Sequence, residues 1–250
     1  AFSSYFFIII QAGHMTKAHA IAYLPMVVAA VLYTYRGKML LGGVLTALTV
    51  ALELYANHLQ ITYYLVLMLL LIGVVQFVKD LKTNNLADFA KRTGILVLAA
   101  LLASGTSLTR LATTMEYGKD STRGKSELTD NLDNKTSGLD KDYATSWSYG
   151  IAESFTLLIP NFHGGASQGA LTTDSETYQA IKRAPNAKQL IKQLPLYWGT
   201  QPFTSGPTYA GSIVIFLFVL GLLFVKAEMR IWLLLATILS IMLAWGRNFM

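Results

Sequence analysis

EYGKDSTRGKSELTDNLDNKTSGLDKDY, residues 116–143, is too hydrophilic for any bilayer, yet it interrupts a chain that is otherwise mostly apolar. It opens the one long water-soluble stretch, residues 113–208, and that stretch decides how the flanking apolar runs must be arranged. The stretch then turns aromatic and half-apolar in WSYGIAESFTLLIPNFHGG, residues 147–165. It closes on LYWGTQPFTSGPTYAG, residues 196–211, which leads straight into another apolar run. Aromatic residues favour the headgroup layer, so both ends are expected to lie against a membrane surface.

Outward from this tract, the chain reads as membrane-spanning. A hydrophobic content of 53% against 14% charged residues leaves too little polar surface to cover a soluble domain of this length. Apolar runs cover residues 18–35, 39–56, 61–78, 93–113, 209–225 and 231–246, and residues 1–13 read as part of a further span. Eighteen helical residues reach roughly 27 Å, enough for a hydrocarbon core. The runs lack the alternation of strands, so an outer-membrane barrel is not expected. The predicted fold is an all-α membrane protein, a polytopic transmembrane helical bundle with one long extracytoplasmic loop region. Residues 1–112 hold one partial and four whole spans, residues 113–208 the loop region with an interfacial helix at 151–159, and residues 209–250 two spans. The opening AFSSYFFIII has no basic n-region and no small-residue cleavage site. It reads as the middle of a helix, and the chain as an internal fragment of a longer protein. Cysteine is absent, which excludes disulfides and thiolate metal sites.

Orientation follows from lysine and arginine in the short connections. Arg36 and Lys38 lie in one; Lys79, Lys82, Lys91 and Arg92 in a second, with Asp80 and Asp88; Lys226 and Arg230 in a third, with Glu228. These connections alternate correctly to share one side, and they account for nearly all of the formal charge of +6. The basic balance is therefore a topology signal, and no nucleic-acid partner is needed to explain it. With those turns cytoplasmic, the four histidines (His14, His19, His58 and His163) fall outside, together with Lys17, Asn57 and Gln60.

Several constellations on that outer side could carry chemistry. Glu53, Asn57 and Gln60 are spaced to share one helical face, and an ionisable residue at membrane depth usually faces a bundle interior or a wet cavity. A plain interhelical hydrogen bond is the structural alternative. His58 beside them could act as donor or base, or be simply interfacial. Thr106, Arg110 and Thr113 repeat the same spacing, where the guanidinium could grip a lipid phosphate or merely snorkel to headgroups. His14, Lys17 and His19 form a compact basic turn without metal-site spacing. STRGK, residues 121–125, brings Arg123 into a short anion-binding turn that lacks P-loop spacing. Glu153 lies on the interfacial helix, and Glu116 is a further outer carboxylate.

WSYGIAESFTLLIPNFHGG, YWGTQPFTSGPTYAG, AGHMTKAHAIAYLPMVVAAVL, ANHLQITYYL and the closing AWGRNF together resemble the Bacteroidetes-type members of the YfhO family of bacterial multi-pass membrane proteins. The resemblance covers essentially the whole chain. That family is similar to GT-C glycosyltransferases, so the resemblance implies a GT-C-like bundle in the bacterial cytoplasmic membrane. The implied donor is a polyprenyl-phosphate-linked sugar, and the implied acceptor a cell-surface polymer or lipid on the extracytoplasmic face. Such enzymes place their catalytic carboxylate in the first extracytoplasmic loop, which would precede residue 1 here. Among the residues present, Glu53 and His58 are the catalytic candidates. The phosphate and substrate candidates are His14, Lys17, His19, Asn57, Gln60, Arg110, Arg123, Glu153 and His163, with Tyr197 and Trp198 placed to stack on sugar. Partners are the bilayer, the lipid-linked sugar and the acceptor; no cofactor is identified. A transporter or flippase of lipid-linked material would instead call for polar residues through the depth of the spans and an internal repeat. A non-catalytic scaffold whose outer loop binds partners is the third reading.

Overall fold

The computed structural model describes residues 4–121, 141–166, 169–202 and 208–249. All regular structure among them is helical: α1 (Ser4–Gln11), α2 (Met15–Tyr35), α3 (Met39–Tyr55), α4 (Leu59–Lys82), α5 (Leu86–Thr106), α6 (Leu108–Lys119), α7 (Lys141–Ala144), α8 (Glu176–Ile181), α9 (Ala187–Leu190), α10 (Ser212–Phe224) and α11 (Ala227–Trp245). A 3₁₀ helix covers Ala152–Leu157. The chain divides into two compact units, one of Ala1–Asp140 with Val225–Ile238, the other of Lys141–Phe224 with Leu239–Met250.

Among the described residues three helices are long and apolar enough to cross a membrane: Met15–Tyr35, Leu59–Lys82 and Ala227–Asn248. A fourth candidate is the pair Leu86–Thr106 and Leu108–Lys119, bent by 75° where they meet. The chain is a multi-pass membrane protein on that basis, with fewer full-length spans than the six expected. The shortfall has local causes. α3 and α10 are apolar but only 17 and 13 residues long, and α1 is an eight-residue piece. The run 93–113 is not one helix, because it breaks at Ser107.

In the first unit α3 packs between α2 and α5. Lipid tails are as apolar as leucine, so helices in a bilayer associate through close packing of small residues and satisfied polar groups. Gly42 and Gly43 supply the close approach on both sides. A Cβ on Gly42 would stand 2.7 Å from the Thr34 backbone nitrogen on α2, and one on Gly43 would stand 2.6 Å from Ile95 on α5. Thr46 and Thr49, buried on α3, give their protons to the carbonyls of Gly42 and Leu45 at 2.8 Å each, so neither burial leaves a donor unpaired. Val27, Val31 and Tyr35 of α2 meet Leu65 and Ile72 of α4 in the apolar centre.

The two ends of this unit differ in chemistry. At one end Arg92 donates to the Tyr35 carbonyl at 3.1 Å, lies 3.9 Å from buried Asp80, and pairs with Asp88 at 3.6 Å. Lys79 bridges Glu228 at 3.2 Å. The α2–α3 turn, the α4–α5 turn and the start of α11 therefore gather at one end, and most of the basic residues of the short connections go with them. The other end holds the α3–α4 turn and the α5–α6 bend.

Candidate functional site

The second end is built around the last turn of α3. Asn57 takes a left-handed conformation, φ 55°, after Ala56 has capped α3, and α4 begins at Leu59. Asparagine is among the few residues that visit this region readily. The left-handed step reverses the chain, so Glu53, Asn57 and Gln60 do not share a helical face as their spacing suggested. Asn57 and Gln60 are exposed, and Gln60 donates to the Tyr64 hydroxyl at 3.1 Å. Glu53 is fully buried, 0% exposed. The Thr62 hydroxyl lies 3.0 and 3.1 Å from its two carboxyl oxygens. At the same turn Ala56 and Ile61 pack with Ala20 of α2 in a small buried apolar cluster. Glu53 thus ties the end of α3 to the first turn of α4, and in this conformation no substrate hydroxyl reaches it. His58, half-buried, stands at the N-cap of α4.

Arg110 joins the same end of α3. Because the helix breaks at Ser107, Arg110 and Thr113 lie on α6 while Thr106 ends α5, so the three do not form one face. They converge instead across the bend, lining a cleft of ≈ 450 Å³ with Tyr55, Ser107 and Thr109. Arg110 Nη1 donates to the Tyr55 carbonyl, and the guanidinium lies over the Tyr55 ring, 4.5 Å from its centre. One contact satisfies an orphan carbonyl at a helix C-terminus, where a cation is favoured; the other is a cation–π contact. No carboxyl group among the described residues lies within ion-pair distance of Arg110. Among the described residues, Nε and Nη2 make no hydrogen bond or ion pair. The Thr106 and Thr113 hydroxyls are turned to backbone carbonyls of Ala103, Thr109 and Arg110.

The second unit brings together four of the residues singled out from sequence. Glu153, 1% exposed on the 3₁₀ helix, accepts at Oε1 from the Tyr197 hydroxyl at 2.9 Å and from the Thr200 backbone N–H at 3.1 Å. Gln201 N–H in turn donates to the Tyr197 oxygen at 3.1 Å. Gly199 makes this possible, since a Cβ there would fall 2.0 Å from both Glu153 Oε1 and the Tyr197 hydroxyl. Burial pushes the Tyr197 hydroxyl up to about 12; the neighbouring Glu153 adds to the rise and the Gln201 N–H opposes it. The Tyr197 hydroxyl is thus committed to Glu153 as a hydrogen-bond donor. Glu153 Oε2, Thr156 Oγ1 and Gln201 Nε2 are buried without a hydrogen-bond partner among the described residues. Thr156 follows Glu153 by three positions, and such residues eclipse on a 3₁₀ helix.

Beside this cluster runs a ladder of rings. Phe155 lies 5.3 Å from Phe162, Phe162 lies 5.5 Å from His163, and His163 lies 6.4 Å from Trp198. The Trp198 backbone N–H donates to the His163 carbonyl at 3.1 Å, and the residue is 77% exposed. Trp198 is thus an exposed aromatic residue. The apolar Ile151, Phe155, Leu158 and Ile159 of the same unit are also exposed, as a segment seated at an interface would require. Farther along the same unit, Trp245 donates to Ser154 at 2.7 Å and Asn248 to the Tyr149 carbonyl at 2.8 Å.

The remaining candidates stay apart. His14 is the exposed N-cap of α2 and His19 an exposed residue within it, while Lys17 lies 5.6 Å from the centre of the Tyr5 ring. Glu116 is exposed on α6. Arg123 falls outside the described residues. Among the described residues no three His, Cys, Asp or Glu side chains gather as a metal site. Sequence reasoning missed Thr62, Tyr55, Thr156, Thr200 and Gln201. Comparison of the chain with protein-family models, with curated proteins and with solved structures returns no match.

Proposed function

We propose that this chain is part of a membrane glycosyltransferase of GT-C-like architecture, related to the YfhO family. In this reading it sits in the bacterial cytoplasmic membrane with residues 113–208 outside, and it transfers sugar from a polyprenyl phosphate to a cell-surface polymer or lipid. One observation carries the reading: Arg110 faces a cleft at the end of α3 with no carboxyl partner among the described residues, and its guanidinium is already oriented by Tyr55. A planar fork held in this way suits a phosphate leaving group. In the transfer the acceptor oxygen bonds to the anomeric carbon as the bond from that carbon to the phosphate oxygen breaks. The acceptor proton passes to a carboxylate, and the lipid phosphate keeps the electron pair and the charge that Arg110 would stabilise.

A carrier of lipid-linked material is supported less well. The buried hydroxyls of Thr34, Thr46 and Thr49 within the helices are all committed to carbonyls of their own helices, so they line no polar route. The test is donor-dependent transfer in membranes of the full-length protein. Arg110→Lys should express normally yet transfer about tenfold to hundredfold more slowly, since a charge-assisted bond is worth about 1.5–3 kcal/mol. A wild-type rate in the Lys variant across donor concentrations would make Arg110 a headgroup anchor and α3 cap only.

A further inference from the structure

At the opposite end of α4 from Thr62, the structure holds a second concavity. A trough of ≈ 460 Å³ runs between α4 and α11, within the first unit. That volume is in the range of ligand-binding clefts. Its walls are Val74 and Val78, one turn apart on α4, and Ile231 and Leu235, one turn apart on α11. At its mouth the Lys79–Glu228 pair closes at 3.2 Å, and Lys82 stands beyond it in no ion pair among the described residues. The trough is therefore apolar along its length, and at one end Lys79, Lys82, Glu228 and Thr83 leave one positive charge in excess. That end is the one where the basic short connections gather.

We propose that this trough seats an anionic phospholipid, its phosphate on Lys82 and Lys79 and one acyl chain against Val74, Val78, Ile231 and Leu235. Both walls belong to helices long and apolar enough to cross a membrane, so hydrocarbon is the medium the trough meets. A further helix laid into it would have to bring an acidic residue to Lys82, since uncompensated charge in a bilayer is costly. A lipid phosphate brings that charge with it. Basic pockets between membrane helices bind anionic headgroups for this reason. The site is separate from the Arg110 cleft and does not depend on the proposed transfer reaction.

The experiment is native mass spectrometry of the full chain, exchanged into detergent with equal phosphatidylglycerol and phosphatidylethanolamine. The wild type should retain phosphatidylglycerol in preference. Lys82→Ala should reduce that preference about fivefold, the contribution of one lysine near a headgroup. Leu235→Trp, which fills the apolar wall, should lower retention of both lipids while the protein still unfolds at its usual temperature without lipid. Inorganic phosphate should not displace the lipid. Equal retention of the two lipids by the wild type, or unchanged retention in both variants, would overturn the proposal. So would displacement by inorganic phosphate alone, which means an anion site without an acyl trough, or a lipid-free dimer that shields Leu235.

Discussion

Replacing Gly42 by alanine tests the packing that places the candidate site. Gly42 lies where α3 crosses α2, and a Cβ there would stand 2.3 Å from Thr34 Oγ1, 2.7 Å from the Thr34 nitrogen and 2.8 Å from its Cα. Two of those atoms are backbone, so no rotamer change relieves the clash, and the helices must separate. Overpacking of this kind costs about 1–3 kcal/mol, here toward the upper end. The better helix propensity of alanine returns about 1 kcal/mol. A net loss of about 1–2 kcal/mol remains, and at about 2–4 °C per kcal/mol the unfolding midpoint in detergent should fall by about 2–8 °C. Gly73 on α4 is the internal control. A Cβ there meets only the Tyr35 hydroxyl, at 3.8 Å, so Gly73→Ala should leave the midpoint unchanged or raise it. Because α3 carries both Glu53 and Tyr55 at its far end, its displacement should also weaken the Arg110 contact. If Gly42→Ala is as stable as Gly73→Ala, α2 and α3 do not pack as described, and the placement of Tyr55 beneath Arg110 loses its support.

Two further outcomes follow from the buried carboxyl groups. Thr62→Val leaves Glu53 without its hydroxyl partner, so it should destabilise by about 1–3 kcal/mol in chemical denaturation while Thr62→Ser stays near wild type; equal stability of the Val variant would mean that Thr62 does not serve Glu53. Tyr197 stays protonated up to about 12 in the fold, against about 10 for an unperturbed tyrosine. The unfolded chain releases that proton first, so the stabilisation is complete below about pH 10 and is lost as pH rises toward 12. The unfolding midpoint should therefore drop over that window, and Tyr197→Phe should flatten the drop; an identical slope in the variant would mean that the Tyr197 hydroxyl is not held in a buried site.

The helices were legible because their apolar runs are long and uninterrupted, and α2, α3 and α4 begin and end within a few residues of the expected limits. The breaks were harder to read. Ser107 looks like an ordinary polar residue within an apolar run, and nothing in its identity announces a 75° bend. Asn57 carried a usable signal, since asparagine tolerates the left-handed region, but helical spacing was extended across it. That step produced the mistaken Glu53–Asn57–Gln60 face. Glu153 and Tyr197 were each recognisable as candidates, whereas their contact was not, because it joins residues 44 positions apart. Gly199 sat in the quoted WGTQ stretch; its function as the gap that admits Glu153 depends on packing and not on local pattern. Thr62 and Tyr55 were invisible for the same reason, as each acts on a residue of another helix.

Whether Arg110 holds the donor phosphate is tested most directly by binding rather than turnover. Purified full-length protein in nanodiscs should be titrated with a short-chain polyprenyl phosphate, comparing wild type, Arg110→Lys and Arg110→Gln, with Lys82→Ala to separate the trough at the other end of α4. The account predicts that Lys82→Ala binds like wild type, that Arg110→Lys binds about tenfold to hundredfold more weakly, and that Arg110→Gln binds no better than the Lys variant. Equal affinity across the wild type and both Arg110 variants would contradict it.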